Sequence, residues 1–187
     1  GGQGMGRAMA LGLGRAGARV AIADLDGAAL AKVAAEARGA GKGKALLTVV
    51  ADVTQEESAA RLVKQAVEAF GRLDILVNNA GIGQETIRRD FFRKPVKFWE
   101  VEPASWRRVI DVNTNAQYLM ARAAVPQMIA QRWGRIVNVT TSLDTMIRTG
   151  FAPYGPSKAA NEAHVAIMAQ DLDGTGVTAN VLVPGGP

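Results

Sequence analysis

"GMGRAMALGLGRAGARVAIAD", residues 4–24, changes its period part-way along. Residues 4–16 carry the spacing of a helix, whereas "ARVAIAD" (18–24) is a short continuous apolar run of the kind that forms a buried strand. The same alternation continues down the chain. A helix is expected over 27–38, a strand at "ALLTVVAD" (45–52), a helix over 55–70 and a strand at "LDILVNN" (73–79). A long helix over 103–131, the strand "RIVNVTT" (135–141), a helix over 153–172 and the strand "VTANVLV" (177–183) complete the series. Apolar strands separated by helices of roughly ten residues or more indicate a parallel sheet covered on both faces. The pattern predicts a doubly wound α/β fold, Rossmann-like in its layering, in one domain over residues 1–187. The stretch 83–102 has no clear period and follows a strand, where binding loops usually lie.

Composition excludes several classes. The 187 residues contain no cysteine, which removes disulfides and thiolate metal sites, and His164 is the single histidine, so no metal centre is expected. His164 is read as a packed or interface residue. No apolar run reaches the roughly 18 residues that cross a bilayer, and "GGQGMGRAMA" lacks the basic-then-apolar layout of a signal peptide. A soluble, cytoplasmic protein with no membrane partner is therefore expected. The net charge of +5 gathers in residues 84–135 without interleaved surface aromatics in a nucleic-acid motif, which predicts a solvated basic face and no nucleic-acid partner.

The start of the chain places Gly2, Gly4 and Gly6 where a helix begins. Backbone N–H groups can there approach a ligand closely, and the helix dipole favours an anion. Asp24 lies about twenty residues further on, at the end of the next strand, where dinucleotide folds place an acid against a ribose diol. Such an acid repels a 2′-phosphate, so NAD is expected, with NADP disfavoured. The competing reading makes Asp24 a turn residue in "DLDG". Asp52, with Val53 in "VVADVT", is read either as an adenine contact or as the cap of the following helix. A glycine loop of this kind needs a strand leading into it, and a doubly wound fold would continue beyond "VPGGP". The chain is thus expected to lack the first and last strands of its fold.

Taken together these motifs resemble the classical short-chain dehydrogenases/reductases (SDR) along essentially the whole chain. The resemblance rests on Gly2, Gly4 and Gly6; on "NNAG" at Asn78, Asn79, Ala80 and Gly81; on "DVN" ending at Asn113; on a hydroxyl residue in "TTS"; on Tyr154 and Lys158; and on Pro184 and Gly185. It implies a seven-stranded sheet ordered 3-2-1-4-5-6-7, and homodimers or homotetramers assembled through helices 103–131 and 153–172. It also implies that Asn79, Ala80, Gly81, Pro184 and Gly185 line the cofactor. Asn113 would hold a water in a proton relay; its competing reading is a helix asparagine bonded to its own backbone. A serine or threonine after "RIVNVTT" would polarise the substrate oxygen. Ser142 and Thr141 both lie about a dozen residues before Tyr154; Ser142 is preferred because serine is usual there, with Thr141 in reserve.

Tyr154 and Lys158 stand one helical turn apart in "APYGPSKAAN" (152–161). Proline suits the first turn of a helix, whose N–H groups have no intrahelical partner. Alcohol–carbonyl redox chemistry needs a group that exchanges a proton with the substrate oxygen near neutral pH. A phenol titrates near 10, and bringing it to about 7 needs roughly 4 kcal/mol of preference for phenolate. An ammonium about 5 Å away supplies roughly 3 kcal/mol at an effective dielectric near 20, and the helix end about 0.3–1 kcal/mol more. The sequence thus predicts an NAD-dependent short-chain alcohol dehydrogenase or carbonyl reductase with Tyr154 as acid/base, Lys158 as its activator and ribose contact, Ser142 as polariser and Asn113 as relay. A noncatalytic dinucleotide sensor or scaffold on the same fold would not need Tyr154 and Lys158. An inactive fragment is the other alternative: removing a central strand would leave about ten backbone groups unpaired at roughly 1–3 kcal/mol each, so the chain alone is expected not to fold into a competent enzyme. Phe91, Phe92, Trp99 and Trp106 are read either as a substrate wall or as loop anchors.

Overall fold

The computed structural model describes residues 1–39 and 46–185. Two compact units are present, Gly1–Leu73 and Asp74–Pro187, each made of parallel strands and helices.

In the first unit α1 (Gly4–Arg15), β1 (Val20–Asp24), α2 (Gly27–Gly39), β2 (Leu46–Val50) and α3 (Glu56–Phe70) follow one another. β1 and β2 run parallel, paired from Val20↔Leu46 to Asp24↔Val50. Parallel neighbours need a crossover, and α2 lies within it. Ala10, Ile22, Leu30 and Val33 close a small core against Leu11, Val20 and Leu46. Asp26 starts α2 as its N-cap: Oδ1 accepts the Ala28 N–H at 2.9 Å and the Ala29 N–H at 3.1 Å. Glu56 and Glu57 occupy the first turn of α3, where the helix dipole favours them.

In the second unit β3 (Ile75–Asn78), β4 (Gly134–Val139) and β5 (Val177–Leu182) form a parallel sheet in that order, with α4 (Pro103–Ile110), α5 (Ala116–Ala130), α6 (Leu143–Met146) and α7 (Tyr154–Asp171) between the strands. The pair β1-β2 and the triple β3-β4-β5 match the 2-3 and 4-5-6 neighbours of the implied strand order. In β4, Ile136 and Asn138 are fully buried and Val139 nearly so. Asn78 faces Asn138 across the β3–β4 pair, and its Nδ2 donates to Asn138 Oδ1 at 2.8 Å, while Asn138 Nδ2 is buried without a partner among the described residues.

Two features depart from the expected elements. The helix expected over 103–131 contains a π-helical stretch, Asp111–Asn115, between α4 and α5. Such a widened turn releases backbone groups from the regular ladder and re-aims side chains; here it carries Asn113. The other feature is α6, too short to show a period. Among the described residues no helix is long and apolar enough to cross a membrane.

α7 can start only because residue 155 has no side chain: a Cβ there would stand 1.8 Å from the Met146 carbonyl oxygen. Gly155→Ala is therefore expected to destabilise the protein by about 2 kcal/mol or more, as a drop in the urea midpoint. Gly12, inside α1 with open space at its Cβ position, provides the contrast: Gly12→Ala should raise stability by up to about 1 kcal/mol. Equal midpoints for the two variants would contradict this packing.

Candidate active site

The first turn of α7 brings the two candidate groups together. Pro153 precedes the helix and Pro156 falls within its first turn, where no intrahelical N–H bond is lost. Lys158 is 4% exposed, and its Nζ donates to the Val139 carbonyl at the end of β4, at 2.9 Å. The same Nζ lies 5.7 Å from the centroid of the Tyr154 ring. Burial lowers the lysine pKa to about 8.

Tyr154 behaves differently from the expectation. Burial holds its phenol above the ordinary value; a hydrogen bond with the Thr141 side chain works against that rise, and the nearby Glu85 carboxylate adds to it. In this chain desolvation therefore outweighs the acidification expected from Lys158. The ammonium is itself desolvated and is directed at the Val139 carbonyl, which weakens its hold on the phenolate.

Asn113 is fully buried and acts as a strap. Its Oδ1 accepts the Ile82 N–H at 2.8 Å, and its Nδ2 donates to the Ile82 carbonyl at 2.9 Å and to Ser157 Oγ at 3.0 Å. Ser157 Oγ in turn donates to the Tyr154 carbonyl at 2.6 Å. The loop after β3 is thereby tied to the turn that carries the phenol. A Cβ on Gly81 would lie 3.4 Å from both Asn113 Oδ1 and Lys158 Nζ, so this loop passes directly beside the lysine. The π-helical stretch leaves the Asn113 backbone carbonyl to accept from Asn161 Nδ2, one turn beyond Lys158. Ser157, Asn161 and Glu85 are the residues that sequence reasoning missed. The signal for Asn161 was a polar residue three positions after a lysine on the same helix face; Glu85 had none.

The two hydroxyl candidates separate. Ser142 is exposed and caps α6, its Oγ accepting the Thr145 N–H at 3.4 Å and sharing a hydrogen bond with Thr145 Oγ1 at 3.0 Å. Thr141 is half-buried, and it is Thr141 that meets the Tyr154 phenol. The serine preference could not anticipate this, because it depends on the unforeseen helix α6.

Within the second unit, Asn79 Oδ1 is buried with no hydrogen-bond partner among the described residues, Ala80 and Gly81 are exposed, and Pro184 and Gly185 follow β5. Within the first unit, the Gly2 N–H donates to Asp24 Oδ2 at 2.9 Å, and Asp24 Oδ1 accepts the Asp26 N–H at 3.1 Å. Burial pushes the Asp24 carboxyl up, but the Gly2 and Asp26 backbone bonds together with the Gly1 ammonium, 3.0 Å from Oδ2, leave the group below its ordinary value, hence ionised. A Cβ on Gly2 would press on Ala29 at 2.8 Å, whereas Gly4 has φ +51° and nothing within 4 Å of its Cβ position, which leaves the start of α1 open. Gly6 is buried two residues further on. Asp52 takes the turn role: its Oδ1 accepts the Thr54 N–H at 3.0 Å and Thr54 Oγ1 at 2.7 Å, ahead of α3, with Val53 half-buried beside it.

Parallel α/β units, glycines at the start of α1, an acid closing β1 and a tyrosine–lysine pair on α7 define a class of dinucleotide-binding folds. The model of the short chain dehydrogenase family matches residues 1–186, and the chain belongs to that family. It is 36% identical to a short-chain type dehydrogenase/reductase of Picea abies over 135 residues, 72% of this chain and 47% of the relative. It is 32% identical to a 3-oxoacyl-acyl-carrier-protein reductase of Synechocystis sp. over 139 residues, 74% of this chain and 52% of the relative. The chain thus spans about half the length of these curated relatives. Among solved structures it resembles an NAD+-bound xylitol dehydrogenase with a TM-score of 0.87 and 32% identity, over 100% of this chain and 68% of the other. It also resembles a metagenomic short-chain oxidoreductase in complex with NADP, with a TM-score of 0.86 and 30% identity, over 99% of this chain and 79% of the other.

The depressed lysine pKa has a measurable sign. An unfolded lysine keeps its proton up to 10.5, whereas Lys158 in the fold releases it near 8. The unfolded chain therefore binds more protons between these values, and stability rises with pH across that window. Lys158→Met should remove the rise, so that wild type gains on the variant from about pH 8 upward, by at most about 1.4 kcal/mol per pH unit, in denaturation curves. Parallel pH profiles would contradict the burial of the ammonium.

Proposed function

We propose that the protein interconverts an alcohol and a ketone or aldehyde by hydride exchange with a nicotinamide dinucleotide, Tyr154 acting as general acid/base. The observation that carries this reading is the Tyr154 phenol hydrogen-bonded with the Thr141 side chain, with the buried Lys158 ammonium 5.7 Å from the centroid of the same ring. Membership of the family supports it, as do the NAD+ and NADP complexes of the two similar structures. The reading takes residues 1–187 as one dinucleotide-binding domain of a cytoplasmic enzyme.

The residues present fit such a cofactor. The open start of α1 at Gly4 suits the pyrophosphate, ionised Asp24 suits the adenosine ribose, and the unpartnered Asn79 Oδ1 offers an acceptor near the Gly81 backbone. Ala80, Pro184 and Gly185 in the second unit, and Asp52 and Val53 in the first, are further candidates for cofactor contacts, as the family resemblance implies. Asp24 favours NAD over NADP because a carboxylate repels a 2′-phosphate. When bound, the nicotinamide supplies or takes the hydride, and its oxidised ring adds positive charge that favours phenolate.

The chain's own groups handle the proton. In oxidation the alcohol O–H gives its proton to Tyr154 as the carbon loses hydride; in reduction the phenol returns it. Thr141 donates to the same oxygen and stabilises charge building there. Lys158 favours the phenolate and reaches the cofactor ribose. Both side-chain N–H groups of Asn113 are committed, so a relay water there would donate to one of its oxygens, each of which already accepts one bond. A homodimer or homotetramer through helices 103–131 and 153–172 belongs to the proposal; exposed Tyr118, Ile129 and Ile167 on those helices support it, with the Tyr118 ring against His164 at 5.9 Å.

Tyr154→Phe is expected to cut turnover at least about 10³-fold while NADH affinity stays within a few-fold; unchanged turnover would overturn the mechanism. Thr141→Ala should lower kcat by roughly 10²-fold or more. Ser142→Ala should instead cost about 1 kcal/mol of stability through its lost cap. The reverse pattern in steady-state kinetics would return the polarising role to Ser142.

A further inference from the structure

Sequence reading left the aromatics of the 83–102 loop between substrate wall and anchor. The rings in fact form a continuous path outward from the phenol. The Tyr154 and Phe151 centroids are 6.2 Å apart, Phe151 meets Phe91 at 5.6 Å and Phe92 at 6.2 Å, and Phe91 and Phe92 are 4.1 Å apart. Arg148 covers two of these rings, its Cζ over the Phe92 ring at 5.6 Å and over the Phe151 ring at 5.7 Å, one ring removed from the phenol.

This placement is fixed by backbone packing. The Phe151 N–H donates to the Arg148 carbonyl at 3.1 Å, so one turn sets both residues. Gly150 lies between them with φ +80°, and a Cβ there would stand 2.6 Å from Pro95 Cβ. The 147–151 segment is thus seated directly on Pro95 and the buried Val96.

A guanidinium held over aromatic faces keeps its N–H edge outward, which is the arrangement that grips an oxyanion with two parallel bonds. Arg148 is exposed, and among the described residues no carboxylate lies within ion-pairing distance of it. Arg88, Arg89, Arg93 and Lys94 flank the two phenylalanines in "RRDFFRK" (88–94) and raise the local positive potential. Glu85 supplies the opposite field beside the phenol. An anionic group next to the reacting carbonyl would face that carboxylate; an anionic group at the far end of an apolar spacer would face Arg148.

We infer that the substrate of this site is a carbonyl or alcohol compound bearing a terminal oxyanion, a carboxylate or a phosphate, with its apolar body along Phe151 and Phe92 and the anion on Arg148. The inference rests on the hydride-transfer reading only for the identity of the reacting end. Arg148 serves as a specificity-determining residue: it touches the substrate remote from the carbon that reacts.

The test uses three probes that share one aryl ketone: 4-acetylphenylacetate, its neutral methyl ester, and 4-acetylphenyl phosphate. Their dissociation constants are measured by calorimetry on the protein with NADH, for wild type, Arg148→Gln and Arg148→Lys. At least one anionic probe should bind tenfold or more tightly than the ester in wild type. That ratio should fall to about one in Arg148→Gln, stay intermediate in Arg148→Lys, and shrink as salt is raised. Preference for the carboxylate or for the phosphate identifies which oxyanion the site takes. If Arg148 merely anchored the aromatics, Arg148→Gln would weaken anion and ester alike and leave the ratio in place. That outcome would overturn the inference, as would equal binding of all three probes or failure of both anions to bind. Anionic probes that bind with the expected ratio but are never reduced would count against hydride transfer and leave the Arg148 subsite standing.

Discussion

A lysine ammonium buried against a single backbone carbonyl organises the second unit. Lys158 is almost entirely removed from solvent and donates to Val139 at the end of β4. A charge in that position is expensive unless its surroundings are fixed. α7 must therefore enter at one height on the sheet, and the side-chain-free contact of Gly155 with Met146 sets that height. The π-helical stretch places Asn113 so that the loop after β3 and the first turn of α7 share one hydrogen-bonded strap through Ser157. Phenol, ammonium and loop are consequently positioned together.

The two titrating groups are displaced in opposite directions by the same cause. Desolvation disfavours the charged form of each, lowering the lysine and raising the tyrosine. The Coulomb argument made from sequence weighed only the attraction of ammonium for phenolate and assigned the water-removal cost to neither. In the proposed reaction such a phenol would stay protonated until further positive charge arrives, as an oxidised nicotinamide would supply. The Glu85 carboxylate reinforces that restraint at the phenol, while the Arg148 guanidinium lies over the Phe92 and Phe151 rings.

Much of this could be read in the chain before any coordinates. Every expected strand formed within about two residues of its predicted limits, because short continuous apolar runs such as "ARVAIAD" and "RIVNVTT" are rich in β-branched residues and alternate with helix-length segments. Tyr154 and Lys158 were legible because a turn of helix fixes their spacing. Other features depend on contacts distant in sequence. Helix α6 has only four residues, too few for a period, and it decides that Ser142 caps a helix while Thr141 meets the phenol. The π-helical widening at Asp111–Asn115 has no compositional mark, and the bond from Asn161 to the Asn113 carbonyl appears only once α7 is packed. Asp52 shows the remaining case: it does not cap α3, which starts after Gln55, and its carboxylate instead bonds Thr54 in the preceding turn.

The central claim is that the Tyr154 proton is governed by burial on one side and by positive charge on the other. The most direct measurement is the ultraviolet titration of its phenol, taken as the difference between wild type and Tyr154→Phe, with and without saturating NAD+. The account predicts ionisation above the ordinary phenol value in the free protein and a clear downward movement towards neutrality when NAD+ binds. Identical titrations in the two states, or an upward movement on binding, would contradict it.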